Sequence, residues 1–207
     1  YQGQICTIAQ TLAKHLPPKD VGAYTQKFFD ILWKGWLSPS TPVLANTGTT
    51  RGLPVSCAGQ YVEESIDGFF TARRETALLT KHGFGTSAYL GDIRERGAPI
   101  SVGGSASGIL PVLKGFAQDS RDVSQAGIRR GSFAGYIDID HGDFDEVLNF
   151  LEREPDDINI GWNVSSAYLG SLEAGNKDAL RRLRAALRVK MITGKGYFFF
   201  PDKANDH

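Results

Sequence analysis

The stretch SFAGYIDIDHGDFDEVLNFLE, residues 132–152, decides the fold because its pattern changes halfway along. Residues 132–139 are rich in aromatic and β-branched side chains and predict a strand, in which alternate side chains point to opposite faces. Residues 142–152 predict a helix whose acidic start complements the positive end of the helix dipole. The stretch therefore predicts a strand followed by a helix.

The same alternation continues on both sides of this stretch. Further strands are predicted at 55–61, 86–90, 159–164 and 196–200. Further helices are predicted at 20–34, 65–81, 109–116, 165–174 and 177–190. The first of these helices is expected to have Asp20 as its N-cap and to stop at Gly35. This order of elements indicates an α/β fold with a mostly parallel sheet that is covered on its faces.

The composition restricts the class of protein. The 207 residues are 41% hydrophobic, which is enough for one sizeable core. The 23 basic and 23 acidic side chains cancel, so no overall charge favours nucleic acid or a membrane surface as a partner. The sequence has neither a long apolar run nor the start of a signal peptide, and its two cysteines do not form a disulfide framework. These features predict a soluble, cytoplasmic protein with free thiols.

Three segments could be functional or structural. HGFGTSA, residues 82–88, has the glycine spacing of a dinucleotide fingerprint, but the predicted helix precedes it and the strand follows, which is the reverse order. The acidic residues of 137–146 could bind a metal, although acids at a helix start need no ion, and no metal site is predicted. The arginines of 180–190 could contact phosphate, but a solvated helix face is the better interpretation.

The segment DVSQAGIRRGSFAG, residues 122–135, carries more information. Arg129 and Arg130 lie between glycines on a loop that enters a strand, and guanidinium groups bind phosphates or base edges through paired hydrogen bonds. Arg94 could join them at an anionic ligand. Residue chemistry alone leaves a nucleotide or phosphate site and a structural loop both open. For Cys57, taken alone, a small buried side chain is the better interpretation, because a lone cysteine in a strand usually has that role.

Taken together, five motifs resemble the large, catalytic subunit of ribonucleotide reductase. They are SPSTPVLANTGT, SCAGQYVEESIDGF, KHGFGTSAYLGDIRERGAPI, VSQAGIRRGSFAGYIDIDHGDFDEVLNFLE and TGKGYFFFPDKAN, in that order. The resemblance covers roughly residues 36–205. It looks like phage-type class I proteins, and the cobalamin-dependent class is also similar.

The resemblance implies the first half of a ten-stranded α/β barrel in residues 37–207, with a short helical N-terminal segment in residues 1–36. The family's radical-bearing cysteine lies in an Asn-x-Cys-x-Glu motif, which this sequence lacks. The chain also begins with Tyr1. We therefore expect a split-gene product or a fragment, which is active only when a C-terminal large-subunit chain completes the barrel and supplies that cysteine.

The resemblance also implies roles for individual residues. Cys57 corresponds to one of two thiols that reduce the 2′-carbon of the substrate and become a disulfide. The resemblance assigns substrate binding to Thr41, Ser56, Gly85, Arg129 and Arg130, and effector binding to Glu64, Arg94 and Gln125. Ser101 occupies a position that is arginine in some relatives.

The implied function is radical-based reduction of ribonucleotides, expected to be diphosphates, to deoxyribonucleotides for DNA synthesis. A deoxynucleotide or ATP effector would control substrate specificity at a dimer interface of the large subunit. No cofactor bound by this chain is expected, because the radical would come from a separate dimetal small subunit or, alternatively, from adenosylcobalamin. The alternative function is a stand-alone nucleotide-binding regulatory module without catalysis. Another radical enzyme with a similar barrel is a further alternative.

Overall fold

The computed structural model describes residues 1–50, 52–101, 103–123 and 131–206. The elements in these ranges follow one another in the order α1 (Gln2–Ala13), α2 (Pro18–Trp33), α3 (Thr41–Asn46), β1 (Cys57–Tyr61), α4 (Ile66–Lys81), β2 (Gly85–Tyr89), α5 (Ile109–Asp122), β3 (Phe133–Asp138), α6 (Phe144–Arg153), β4 (Asn159–Asn163), α7 (Ser166–Glu173), α8 (Lys177–Thr193), β5 (Tyr197–Phe199) and α9 (Pro201–Ala204).

The five strands form one parallel sheet in the order β1-β2-β3-β4-β5. Each strand pairs with the next strand of the sequence, and helices cross from one strand to the next. Parallel neighbours need such crossovers because the chain must return to the same end of the sheet. The predicted parallel α/β arrangement is therefore confirmed, and its five strands are those of a half-barrel.

One face of the sheet is covered by helices and forms the core. On β3, Phe133, Gly135 and Ile137 are buried, while the alternate residues are half-buried. Beneath them, the rings of Phe144 and Trp162 pack with centroids 4.8 Å apart, and both side chains are fully buried. Burial of such side chains supplies most of the stabilisation of a fold of this kind.

The opposite face of the sheet is open. It presents Cys57 and Tyr61 on β1, which are exposed, and Tyr89, Tyr136 and Asp138 on the next two strands, which are half-buried. We call this surface the open face. Because side chains alternate along a strand, the neighbours of each open-face residue in the sequence point towards the core.

The helices begin and end where their local sequences dictate. Ser65 caps α4 by accepting a hydrogen bond from the Gly68 amide at 2.9 Å. Asn176 caps α8 by accepting from the amides of Asp178 and Ala179. Gly194 ends α8 in the left-handed conformation that glycine adopts without strain.

The N-terminal helices form a separate small cluster. Ile5 and Ile8 of α1 pack with Leu32 of α2, and Leu44 of α3 packs against them. The helix predicted from Asp20 begins earlier, at Pro18, because proline suits the first helical turn. The short helix α3 was not predicted. The division between residues 1–36 and 37–207 stays a prediction.

The segments with two interpretations can now be described by their contacts. HGFGTSA follows α4 and leads into β2, which is the order expected from the sequence. Asp145 and Glu152 of α6 pair with Arg181 and Arg188 of α8, respectively. Among the described residues, no three His, Cys, Asp or Glu side chains converge as metal ligands would. Within the same ranges, no helix is both long and apolar enough to cross a membrane.

Candidate functional site

Cys57 lies at the start of β1 with its thiol on the open face. Its partner across the sheet is Gly85, the first residue of β2. A Cβ atom at Gly85 would lie 3.8 Å from the Cys57 sulfur, so the missing side chain leaves the space beside the thiol open. A ligand could therefore approach the Gly85 backbone and the sulfur together.

Ser56 directly precedes this cysteine, and Thr41 lies on the short helix α3 before β1. The Ser56 carbonyl accepts a hydrogen bond of 2.8 Å from the Gly85 amide, which fixes the start of β1 against the start of β2. Thr41 is exposed in the first turn of α3. The end of α3 is tied to the segment before β1, because the Asn46 side chain donates to the Leu53 carbonyl at 3.0 Å.

A row of phenols crosses the open face on the C-terminal side of Cys57. Tyr61, Tyr89 and Tyr136 are register partners on three neighbouring strands. The Tyr89 hydroxyl donates to Asp138 at 2.8 Å, and the Asn163 side chain donates to the other oxygen of that carboxylate at 3.1 Å. Burial and the Asp138 hydrogen bond raise the pKa of Tyr89.

This row lines a cleft of about 650 Å³. These tyrosines were not predicted from the sequence as site residues. A signal was present, because aromatic residues recur at the open-face positions of consecutive strands, but their meeting in one row depends on the register. The cleft thus extends the surface available to a ligand beyond the Cys57 thiol.

A second cleft, of about 560 Å³, lies between α4, α5 and the loop that joins β2 to α5. Its volume is within the range of small-ligand pockets. We call it the loop cleft. Its lining comprises Glu64, Ser65, Ile66, Phe69, Phe70, Arg73, Ile93, Arg94, Ile100, Ser101, Ser105, Ala106, Ser107, Gly108, Pro111 and Val112.

Glu64 and Arg94, both predicted effector ligands, meet in the loop cleft. The Arg94 side chain donates to both Glu64 carboxylate oxygens, at 2.5 and 3.1 Å, and to the Pro99 carbonyl at 2.9 Å. The hydrogen bonds to the carboxylate lower the pKa of Glu64. Together with the bond to Pro99, they use three of the five N–H donors of the guanidinium, and the described residues provide no acceptor for the other two. Arg94 is therefore oriented and retains donors for an anion.

The loop that bears Arg94 is anchored to α6. Buried Asp143 accepts hydrogen bonds of 2.8 Å from the backbone amides of Arg96 and Ile109. The Arg96 side chain forms a second attachment, because it donates twice to Glu146. The first turn of α5 is thus held by the same carboxylate as the loop. The sequence predicted these acidic residues as the start of a helix, but it did not predict that Asp143 binds the backbone of the loop.

Arg73 also lines the loop cleft, and the sequence analysis missed it. It lies on α4 over the ring of Phe70 and donates two hydrogen bonds to Asp119 of α5. Ser101 lines the same cleft. The predicted residues Gln125, Arg129 and Arg130 lie outside the described residues, so their roles stay predictions.

The comparison with known protein families agrees with this geometry. The family described as "Ribonucleotide reductase, barrel domain" matches residues 55–190. The chain belongs to this family. The match begins two residues before Cys57, includes strands β1 to β4 and ends within α8, so β5 lies after it.

Individual relatives of this ribonucleotide reductase barrel chain come from viruses and bacteria. It is 29% identical to the ribonucleoside-diphosphate reductase large subunit of Invertebrate iridescent virus 6, over 91% of this chain and 22% of that protein. It is 28% identical to the vitamin B12-dependent ribonucleoside-diphosphate reductase of Mycobacterium tuberculosis (strain CDC 1551 / Oshkosh), over 83% of this chain and 24% of that protein.

A solved structure provides the same comparison in three dimensions. The chain superimposes on the class Id ribonucleotide reductase alpha subunit of Actinobacillus ureae with a TM-score of 0.81 and 37% identity. The alignment covers 98% of this chain and 37% of that subunit. The chain therefore spans between 22% and 37% of the length of these three relatives.

Proposed function

We propose that this chain is part of the large subunit of a ribonucleoside-diphosphate reductase and supplies one of its reducing thiols. The observation that carries the proposal is the exposed Cys57 sulfur on the open face, beside the space left by Gly85. The names of the relatives support the reaction and the diphosphate substrate.

The chemistry requires a pair of thiols. Replacement of a ribose 2′-hydroxyl by hydrogen releases water and takes up two electrons and two protons. Two thiols supply both when they form one disulfide. Cys57 would be one of them. The radical-bearing cysteine and the second reducing thiol would come from the part of the enzyme that completes the barrel, whether on another chain or further along the same gene product.

The substrate would lie over the start of β1 and β2. Gly85 would let the ribose approach the backbone, while the hydroxyls of Thr41 and Ser56 would contact its phosphates. Thr41 is exposed and Ser56 is half-buried, which suits this role. Arg129 and Arg130 are retained as proposed substrate contacts on the strength of the motif alone.

The loop cleft would bind the effector, a deoxynucleotide or ATP. Arg94 would contact its phosphates and Glu64 its ribose, with Gln125 as a further proposed contact. The oriented guanidinium, the serine hydroxyls and the apolar side chains of the cleft are the mixture that a nucleotide needs. A dimer of large subunits would meet at this region.

The radical would come from a separate dimetal small subunit, which the class Id structural relative favours. The vitamin B12-dependent relative makes adenosylcobalamin the alternative source. In either case, this chain would bind nucleotides rather than a cofactor of its own, and it would act in the cytoplasm without nucleic acid or membrane partners.

The test is the replacement of Cys57 by serine in the active reductase assembly, with Cys6→Ser as the matched control. Cys6 is the chain's other cysteine and lies on α1. We expect Cys57→Ser to lower multiple-turnover activity at least about a hundredfold, because no disulfide can form, and to leave effector binding unchanged. The Cys6 variant should retain activity. Normal multiple turnover by the Cys57 variant would rule out the proposed role.

The alternative is a nucleotide-binding regulatory module without catalysis. The loop cleft favours it, because Glu64 and Arg94 line the cleft whereas Cys57 does not, so a nucleotide bound there would not need the thiol. Under this alternative, deoxynucleoside triphosphates would bind to the protein as purified from its source, and Cys57→Ser would change neither binding nor any reductase activity.

A further inference from the structure

The two helices that wall the loop cleft are joined by an ion pair, and one of its two residues, Arg73, lines the cleft. Arg73 of α4 donates through Nε to Asp119 Oδ2 at 2.6 Å and through Nη2 to Asp119 Oδ1 at 2.8 Å. Both side chains are mostly buried, with 29% and 22% of their surfaces exposed. A paired guanidinium–carboxylate contact fixes both distance and orientation. It therefore holds α4 and α5 in one relative position.

We propose that the Arg73–Asp119 pair positions the last turn of α5, so that occupancy of the loop cleft is transmitted to the substrate side of the sheet. This inference rests on the proposed function, since it concerns how an effector in that cleft changes substrate choice. It assigns a positioning role to two residues that contact neither the Cys57 thiol nor the Glu64–Arg94 pair in this structure.

Arg73 belongs to the lining of the cleft, whereas Asp119 does not. Arg73 lies over the Phe70 ring, with its guanidinium carbon 5.4 Å from the ring centroid, and both residues line the cleft. An anion in the cleft would attract Arg73 in competition with Asp119. A ligand can shift a protein only through such a differential interaction.

Asp119 and its neighbour Ser120 contact the residues on both sides of the segment 124–130. On one side, the Val123 amide donates to the Asp119 carbonyl at 3.0 Å. On the other side, Gly131 lies so close to the Ser120 carbonyl that a Cβ atom there would overlap it, and the same atom would lie 2.6 Å from Thr80 Cγ2. A shift of the last turn of α5 would therefore move both flanks together.

Hydrogen bonds and strand pairing connect Gly131 to the Cys57 thiol. The next residue, Ser132, accepts a hydrogen bond of 2.8 Å from the Thr86 amide and one of 3.3 Å from the Thr86 hydroxyl. Thr86 follows Gly85, which is the register partner of Cys57. Contacts among described residues thus run without a break from the loop cleft to the thiol. Coupling along these contacts is the quantity that the experiment measures.

The experiment measures that coupling in the active reductase assembly. Each deoxynucleoside triphosphate serves as the probe, and its Kd is determined with and without each ribonucleoside diphosphate. The ratio of the two Kd values is the coupling factor. We expect Asp119→Asn to reduce the largest coupling factor at least about fivefold, because a neutral amide cannot hold the guanidinium through a charged pair. Asp119→Glu keeps the carboxylate and should restore much of the factor.

The matched control is Glu152→Gln. Glu152 forms an equivalent paired contact with Arg188, at 2.6 and 2.8 Å, but it joins α6 to α8. This variant should lower the melting temperature by no more than Asp119→Asn does, because its pair is more exposed, and it should leave the coupling factor unchanged. Equal coupling factors in the two variants and the unaltered protein would overturn the inference. If Asp119→Asn does not fold, Arg73→Lys provides the same test, because lysine keeps the charge without the planar fork.

The inference and the proposed function fail in different ways. Arg94→Ala should weaken binding of the triphosphate itself, so unchanged binding in that variant would contradict the effector site. If Arg94→Ala weakens binding while Asp119→Asn leaves coupling intact, only the inference is wrong.

Discussion

The two faces of the sheet differ in what their side chains do. On the covered face, β3 and β4 bury Phe133, Ile137 and Trp162 against helices, and each of these side chains is at most 4% exposed. On the open face, Tyr61 is 61% exposed and Cys57 is also exposed. The same strands therefore carry stability on one side and reactive or hydrogen-bonding groups on the other. Substitutions on the two faces should separate stability from activity.

The largest difference in stability is expected between Trp162 and Tyr61. Trp162→Ala would leave a cavity beside Phe144, and we expect it to lower the free energy of unfolding by about 3–5 kcal/mol. Tyr61→Ala removes a mainly exposed ring and its hydrogen bond to Asp92, so a cost of about 1 kcal/mol is expected. Denaturant unfolding of both variants measures the two values. Equal losses would mean that the open face is part of a core.

A pair of strand glycines sharpens the same comparison. At Gly135, on the covered face, a Cβ atom would lie 2.6 Å from Leu113 Cδ1, so we expect Gly135→Ala to cost about 1–3 kcal/mol through overpacking. At Gly59, on the open face, the nearest atom is Ser87 Oγ at 3.4 Å, and Gly59→Ala should change stability by less than about 0.5 kcal/mol. Unfolding curves of the two variants provide the check. A larger loss at Gly59 would reverse the assignment of the faces.

The smallest effect on stability is expected for the Glu64–Arg94 pair of the loop cleft, because both side chains are partly exposed. Arg94 lowers the pKa of Glu64 in the folded protein. The pair therefore stabilises the protein above the unfolded-state pKa of about 4.3, and this contribution is lost as the pH falls through the folded-state pKa. Solvent screening limits it to well under about 1 kcal/mol.

The check is the difference in unfolding free energy between the unaltered chain and Glu64→Gln as a function of pH. We expect a small difference at pH 7 that disappears in acid. A difference that grows on acidification would contradict the lowered pKa.

Local patterns were sufficient to predict most of the fold. The pattern of residues 132–139 predicted strand β3, and the structure buries every second side chain of that strand, as expected where one face lies on a helix layer. The five predicted strands and their parallel arrangement are confirmed by the sheet. The start of α2 was wrong by two residues, and α3 was missed because its six residues lie in a run rich in turn-forming side chains.

The candidate site was predictable in part, and mainly through the family resemblance. The structure brings Glu64 and Arg94 together and places Cys57 beside Gly85, as the resemblance implied, while their roles remain proposals. Arg73 and Asp119 are 46 positions apart, and Asp143 reaches amides 47 and 34 positions away. Such contacts depend on how helices pack, which no local pattern encodes.

The central claim is that Cys57 is oxidised during the reaction, and thiol labelling after one turnover tests it most directly. The active assembly is given a ribonucleoside diphosphate without an external reductant, quenched, alkylated and analysed by peptide mass spectrometry. The account predicts that Cys57 loses its reactivity towards the alkylating reagent in proportion to the deoxynucleotide formed and regains it on reduction, while Cys6 stays labelled throughout. Deoxynucleotide formation with Cys57 still fully alkylated would contradict the account.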